Sequence, residues 1–533
     1  MTVALEPTLN EDAKFRRTLG FWSLLATGLG SVIGSGWLFS AMYAAQSAGP
    51  ASLIAWVIGR VLMLTVALVF AELAIAHPES GGLVRYPLYS NGRFAAGIVG
   101  WSMWVCYLGN PPTEAAGALQ YASSYLPGIY QGDQLTGLGI LLAIVLMAVF
   151  VGINYFGVHL FAKTNNVVTA VKVLIPTVTV VLLIASGFDS GNISQHGGFA
   201  PYGYGAALGT IASAGMVFAY TGFRNIVELS GEVRHPRKHI PAALVTTLLV
   251  TIVLYLGLQV AFLGAVPSSM LAGGWHGVDF DSPFAQLAML LGLSWLYWTL
   301  IADSMISPSG AAIAWTASNA RNAYGLAKNR FFPAWLRTVN GRWGVPTRGL
   351  ITNFLVGILF LLPLPSWHEI VSVTASLVAF TFSVGSISLL AFRKTGVTGP
   401  ANRLPGMAVI APLAFVISAL VIYWVGWPDL TKTIPIVVAG LIWFAVTWVR
   451  QNQGVSELSG GVWLIVHLAF LYLMSALGSF EGSGLIPAPW DSLIVAVVSL
   501  GVYFWGVASG TAYLRDHRPE ALRRPDQPIE AAS

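Results

Sequence analysis

Apolar runs of about twenty residues, the length that crosses a bilayer as helix, recur along the whole chain. They fall at 20–45, 51–76, 94–125, 136–155, 160–186, 205–230, 240–265, 284–318, 347–365, 367–392, 407–427, 432–449, 461–480 and 491–513, predicting about fourteen transmembrane helices. The first follows Lys14, Arg16 and Arg17 and mimics a secretory leader, but its length and the runs behind it favour a retained helix. Two runs are interrupted by backbone-exposing residues. The first carries Gly28, Gly30, Ser31, Gly34, Ser35 and Gly36, and the sixth carries GMVFAYTGFR at 215–224. Non-helical backbone at membrane depth is tolerated only inside protein or beside a water-filled cavity. Paired interruptions of this kind point to a transporter's binding site.

Composition agrees with the pattern. Of 533 residues, 56% are hydrophobic and 9% charged, and mean hydropathy is +0.71, far from the roughly 25% charge of a soluble domain. With the N-terminus placed inside, the inner segments collect Lys14, Arg16, Arg17, Arg85, Arg93, Lys163, Arg234, Arg237, Lys238, the six cations from Arg321 to Arg348, Arg393, Lys394, Arg403, Arg450 and the arginines of the tail. The outer loops keep Lys432 at a helix edge. This segregation predicts cytoplasmic N- and C-termini in a cell (inner) membrane. The net charge of +5 therefore reports topology, and no nucleic acid partner is expected.

Cys106 is the single cysteine, which excludes an intramolecular disulfide and CxxC metal chemistry. HExxH, GxSxG and Walker patterns are absent and the loops are short, so neither an enzyme nor a cofactor or metal is expected. A channel filter needs repeated rings of carbonyls or charges, and no such repeat is present. A sensor built on a transporter-like fold would bind without flux.

Spans 1 and 6 lie five apart and so run in opposite directions, as an inverted repeat requires. Small residues in span 1 also fit close helix packing through GxxxG spacing, but exposed N–H groups with two hydroxyls suit a carboxylate. Lys172 sits well inside span 5, where a lysine costs roughly 2.5 to 3.5 kcal/mol unless it finds water or a partner. Burial depresses a lysine's proton affinity, making it a proton carrier or a structural partner of carbonyls. Arg224 offers a permanently charged fork to an acidic substrate side chain, or pairs internally with Glu228 or Glu114. Glu114 follows Pro111 and Pro112 in span 3; ionised it favours a cationic substrate, protonated or neutralised an acidic one. Glu72 reads as a structural or gate contact. Arg60 stands mid-span without an account, and Asp303 either pairs with it or lines the site.

The stretches GSVIGSGWLF, AELAIAHPESGGLVRYP, FAYTGFRNIVELSGEVRHPRKHIPAAL and ASNARNAYGLAKNRFFPAW together resemble the amino acid-polyamine-organocation superfamily of permeases over about the first 450 residues. The resemblance implies a leucine-transporter-type five-plus-five inverted-repeat core with four further helices. It divides the chain into a cytoplasmic segment 1–19, a core 20–392, peripheral helices 393–513 and a tail 514–533. It places the substrate carboxylate on Ser31, Val32, Ile33, Gly34, Ser35 and Gly36. Phe218, Ala219, Tyr220, Thr221 and Gly222 would offer carbonyls to the ammonium and an aromatic lid, Phe218 or Tyr220. Asn110, Thr113 and Glu114 would face the substrate from span 3. Lys172 matches the position of a coupling lysine, with Gly30, Ile33 and Ser307 as neighbours, so H+ is favoured over Na+. Many relatives carry an acidic residue where Arg224 stands. PPTEAAGALQYASSYLP and DSMISPSGAAIAW, with two additional spans, resemble the aspartate-proton symporter branch. The expectation is a proton-coupled symporter of an acidic or small amino acid, with an amino acid or polyamine exchanger as the alternative. Membrane lipid is the surrounding partner, and oligomeric state is undetermined.

Overall fold

The structure, a computed structural model, describes residues 19–78, 82–156, 158–340, 345–450, 458 and 460–517. Residues 1–18 and 518–533, which hold most of the expected terminal segments, lie outside the described residues. The first predicted span is two helices, α1 (Phe21–Val32) and α2 (Gly36–Ala48). Then come α3 (Ser52–Ala76), α4 (Gly82–Ser123), α5 (Gly137–Phe156) and α6 (Val158–Gly187). The sixth span is built from α7 (Gly203–Ser213), α8 (Met216–Tyr220) and α9 (Arg224–Glu228). The chain continues through α10 (Pro236–Ala265), α11 (Pro283–Leu290), α12 (Ser294–Lys328), α13 (Thr347–Leu361) and α14 (Trp367–Lys394). It closes with α15 (Met407–Trp424), α16 (Trp427–Arg450), α17 (Val462–Leu477) and α18 (Trp490–Asp516). A two-stranded antiparallel hairpin, β1 (Tyr130–Gln131) and β2 (Gln134–Leu135), lies between α4 and α5.

Each of the fourteen apolar runs lies on helix. Eight described stretches are long and apolar enough to cross a bilayer, nine with the bent sixth span, and α1, α13 and α17 are shorter apolar helices. Two boundaries differ from expectation. The eighth run splits at Gly292, whose φ of +74° ends α11 before α12 begins. α4 begins twelve residues before its run and kinks at Gly92, where φ is +78°.

Burial separates centre from rim. α14 is buried along its whole apolar window, packing on α4 and α15, and α12 packs on α4. α16 instead presents Val438, Ile442, Val446 and Val449 outward at helical spacing, the pattern of a face turned to lipid. The start of α1 and the end of the sixth span meet on one side, where Leu19 exchanges main-chain hydrogen bonds with Glu232 and Arg234, 3.0 Å each.

On that side Glu72, at the end of α3, receives Nε and Nη2 of Arg393 at 2.6 and 2.5 Å, and the Leu404 amide at 2.7 Å. Arg393 Nη2 also donates to the Leu404 carbonyl. The bidentate geometry ties α3 to the end of α14 and to the loop beyond it, and the Glu72 side chain is 1% exposed. Removing one partner of a buried pair leaves the other uncompensated. Glu72→Ala is expected to lower stability by about 3 kcal/mol, read as a fall in the apparent melting temperature of detergent-solubilised protein. An unchanged melting curve would contradict this.

Candidate functional site

Three residues, 33–35, leave the helical path between α1 and α2. The interruption is thus narrower than the expected 28–36: Gly28 and Gly30 are helical, and Gly28 packs closely on Thr247 and Ile226. Its consequence is a redistribution of backbone bonds. In a continuous helix the Gly34 amide would donate to the Gly30 carbonyl and the Ser35 amide to the Ser31 carbonyl. Instead Gly34 N turns to Val32 O at 3.1 Å. The freed Gly30 carbonyl accepts Lys172 Nζ at 2.9 Å, and the freed Ser35 amide donates to Glu114 Oε2 at 2.6 Å. Inside a membrane neither group has water to fall back on.

The sixth span bends by 54° between α7 and the α8–α9 segment. Gly215 makes the bend with φ +78°, and a Cβ there would also meet the Trp367 ring at 2.9 Å. The expected break at 215–224 is otherwise helical: α8 runs directly into a 3-10 turn at Thr221–Phe223 and then α9. The two broken spans touch. Gly222 lies against the Ser31–Val32 backbone, and Gly36 against Ala219.

Three side chains that sequence reasoning missed hold this junction. Tyr255 of α10 donates to Val32 O at 3.1 Å and Ala219 O at 3.3 Å, bridging both spans. Asn225 Nδ2 donates to Ser31 Oγ at 2.7 Å. Trp367 Nε1, at the head of α14, donates to Ser35 Oγ at 2.7 Å while its ring meets Phe218 edge-on. A buried Tyr hydroxyl or Asn amide mid-span must find a partner, so Tyr255 and Asn225 carried a signal; Trp367, at a span's edge, carried none.

The expected site residues sort as follows. Ser31, Val32, Ile33, Gly34, Ser35 and Gly36 meet Phe218, Ala219, Thr221 and Gly222 at the junction, all buried. Of the two candidate lid aromatics, Phe218 faces Trp367, whereas Tyr220 turns away toward Trp56, Tyr255 and Arg60. Asn110 and Thr113 donate to their own helix at Cys106 O (3.0 Å) and Gly109 O (2.6 Å), and Asn110 Oδ1 is buried without a hydrogen-bond partner. Ser307 donates to Asp303 Oδ1 at 2.8 Å, while Lys172 lies against Gly310. Glu114 and Asp303 are carboxylates that interact electrostatically with Lys172. Among the described residues no ion pair joins Asp303 to Arg60, whose guanidinium lies 5.0 Å from the Tyr220 ring centroid. Among the described residues no carboxylate lies within ion-pair distance of Arg224, so the internal pairs with Glu228 and Glu114 are not formed. Tyr107 hydroxyl bonds to Glu228 instead.

On the opposite side from Glu72, Tyr43 of α2 stacks on Trp367 and His368 and donates to Asp133 Oδ1 at 3.1 Å, with Ser366 on Oδ2. Burial holds the Asp133 carboxyl above the ordinary carboxylate range, and Asp279 pushes the same way against His368 and the Tyr43 bond. A group with raised proton affinity in the packed arrangement favours that arrangement as pH falls and withdraws the contribution as pH rises through the raised value. Amide exchange of the β1–β2 hairpin, corrected for intrinsic rates, is expected to be slower at acid than at alkaline pH. Asp133→Asn should flatten that dependence; an equally steep profile would exclude Asp133 as its origin. A second expectation concerns the junction: Gly222→Ala, forced onto the Ser31–Val32 backbone, should cut amino acid uptake at least ten-fold. Gly205→Ala, with open space around it, should leave uptake unchanged, and similar behaviour of the two variants would contradict the close approach.

The comparisons with known proteins agree with this architecture. An amino acid permease family profile matches residues 19–450. The chain is 38% identical over 518 residues to the glutamate/serine transporter AimA of Bacillus subtilis (strain 168), covering 94% of this chain and 96% of that protein. It is 32% identical over 514 residues to the aspartate-proton symporter of the same organism, covering 94% and 98%. A more distant relative there, a methylthioribose transporter, is 26% identical over 485 residues, 88% of this chain and 96% of that protein. A multi-pass helical membrane protein with two broken spans meeting at its centre, matched along four-fifths of its length by that profile, belongs to the amino acid permease family.

Proposed function

We propose that the chain is a proton-coupled symporter of an acidic or small amino acid, working by alternating access in the cell membrane with both termini cytoplasmic. The observation that carries this reading is the bond from buried Lys172 to the Gly30 carbonyl, which ties a titratable ammonium to the backbone break beside the binding junction. Glutamate, serine and aspartate in the names of two relatives support the substrate class, and the proton in one name supports the coupling ion.

The chemistry follows from what each break leaves free. A substrate carboxylate takes the Ser35 amide that Glu114 now holds, and its ammonium takes carbonyls around Ala219 and Thr221. Glu114, displaced, is neutralised by a proton, since an isolated carboxylate at this depth is costly. Lys172 releases its proton as its carbonyl partner moves, and reprotonation restores the resting bond. Phe218 and Trp367 close over the ligand. The membrane potential contributes about 2.3 kcal/mol per charge per 100 mV, which favours entry of net positive charge. Residues 20–392 form the moving core in this scheme, and 393–513 its periphery.

Proteoliposomes decide it. Empty vesicles under an imposed inside-alkaline gradient are expected to accumulate labelled glutamate, aspartate or serine. Uptake that requires internal amino acid would indicate an exchanger instead, and binding without uptake a sensor. Lys172→Ala should reduce gradient-driven accumulation at least ten-fold. Undiminished pumping by that variant removes Lys172 from the coupling role.

A further inference from the structure

Arg224 is 1% exposed and opens α9 of the sixth span, directly after the 3-10 turn, on the side where Leu19 meets Glu232. Three aromatic faces from three other helices surround its guanidinium. The ring centroid of Tyr107 (α4) lies 4.6 Å from Cζ, that of Trp315 (α12) 5.3 Å and that of Phe382 (α14) 5.6 Å. Tyr107 also meets Trp315 edge-on at 5.0 Å and bonds to Glu228 of α9. Four transmembrane elements are therefore drawn together around one cation.

The faces of the guanidinium are well served and its edge is not. Nε donates to Thr221 O at a long 3.3 Å, Nη2 reaches Cys106 Sγ at 3.8 Å, and Nη1 is buried without a hydrogen-bond partner. Sulfur is a weak acceptor. A planar carboxylate is the ligand that matches the donor fork along that edge.

We propose that the Arg224 cage is the latch closing the binding junction toward the Leu19–Glu232 side, and that the side-chain carboxylate of an acidic substrate releases it. The carboxylate takes the edge donors of Arg224, drawing the guanidinium out of the three rings. Thr221 O, given up by Nε, becomes free for the substrate ammonium. Reading the side-chain charge and opening the exit are then one event, which makes Arg224 a specificity-determining residue acting through gating. This inference rests on the amino acid transport reading above.

The molecule carries its own probe. Cys106 is the sole cysteine of the chain, buried and in contact with Arg224. In proteoliposomes, glutamate or aspartate at acid pH is expected to raise the rate of N-ethylmaleimide labelling of Cys106 at least five-fold, and alanine less than two-fold. Arg224→Gln should label rapidly with or without substrate and lose the distinction. Trp315→Leu, which keeps the arginine but removes one wall, should raise basal labelling while retaining the preference for glutamate. Equal labelling with glutamate and alanine in the native chain overturns the proposal, as does full protection of Cys106 in both variants. Gradient-driven uptake of glutamate in the same vesicles reports the transport reading separately: its absence in the native chain would sink that reading, whereas uptake together with equal labelling by glutamate and alanine would sink the latch alone.

Discussion

A peptide group freed in hydrocarbon must be bonded by something, and the centre of this molecule is organised by that requirement. Opening three residues between α1 and α2 releases a carbonyl and an amide that no lipid can satisfy. The carbonyl of Gly30 recruits a lysine from α6 and the amide of Ser35 a glutamate from α4. The charges that would be anomalous on apolar helices are thereby the partners the break demands. Neither the break nor the buried ions would be tolerable alone.

Two charged side chains at the junction also have the chemistry of the ends of a zwitterion. Glu114 stands on the amide as a substrate carboxylate would, and Arg224 stands on the Thr221 carbonyl as a cation would. Under the transport reading proposed above, the resting protein holds its own backbone groups with tethered counterparts of the ligand. Aromatic side chains supply the frame: Tyr255 spans the two broken helices and Trp367 joins the Ser35 hydroxyl to the bend at Gly215.

Much of this was legible in the chain. Helix positions followed from apolar run length, and the bend at Gly215 and the departure near Gly34 from small residues at membrane depth. The limits of the breaks were not legible, because glycine serves both close packing and unwinding. Gly28 turned out to pack on Thr247, and the residues after Met216 stayed helical. Charge partners were legible only as alternatives. Arg224 was expected to meet a carboxylate and meets aromatic faces, because Tyr107, Trp315 and Phe382 come from spans far apart in sequence. Asn110 and Thr113 donate to carbonyls four residues back on their own helix, a choice that spacing cannot fix. Arg60 remains on the face of Tyr220, where nothing else explains its guanidinium.

The backbone bridge between Leu19 and the segment at Glu232 and Arg234 has a mechanical meaning. Together with Asn225 on Ser31 it fastens the lower half of the first broken helix to the lower half of the sixth at two heights. Those halves cannot swing apart while both ties hold. The two half-helices are thus tied near both ends of α1, so that any motion keeping these hydrogen bonds carries them as one composite body, and moving one without the other requires breaking both ties.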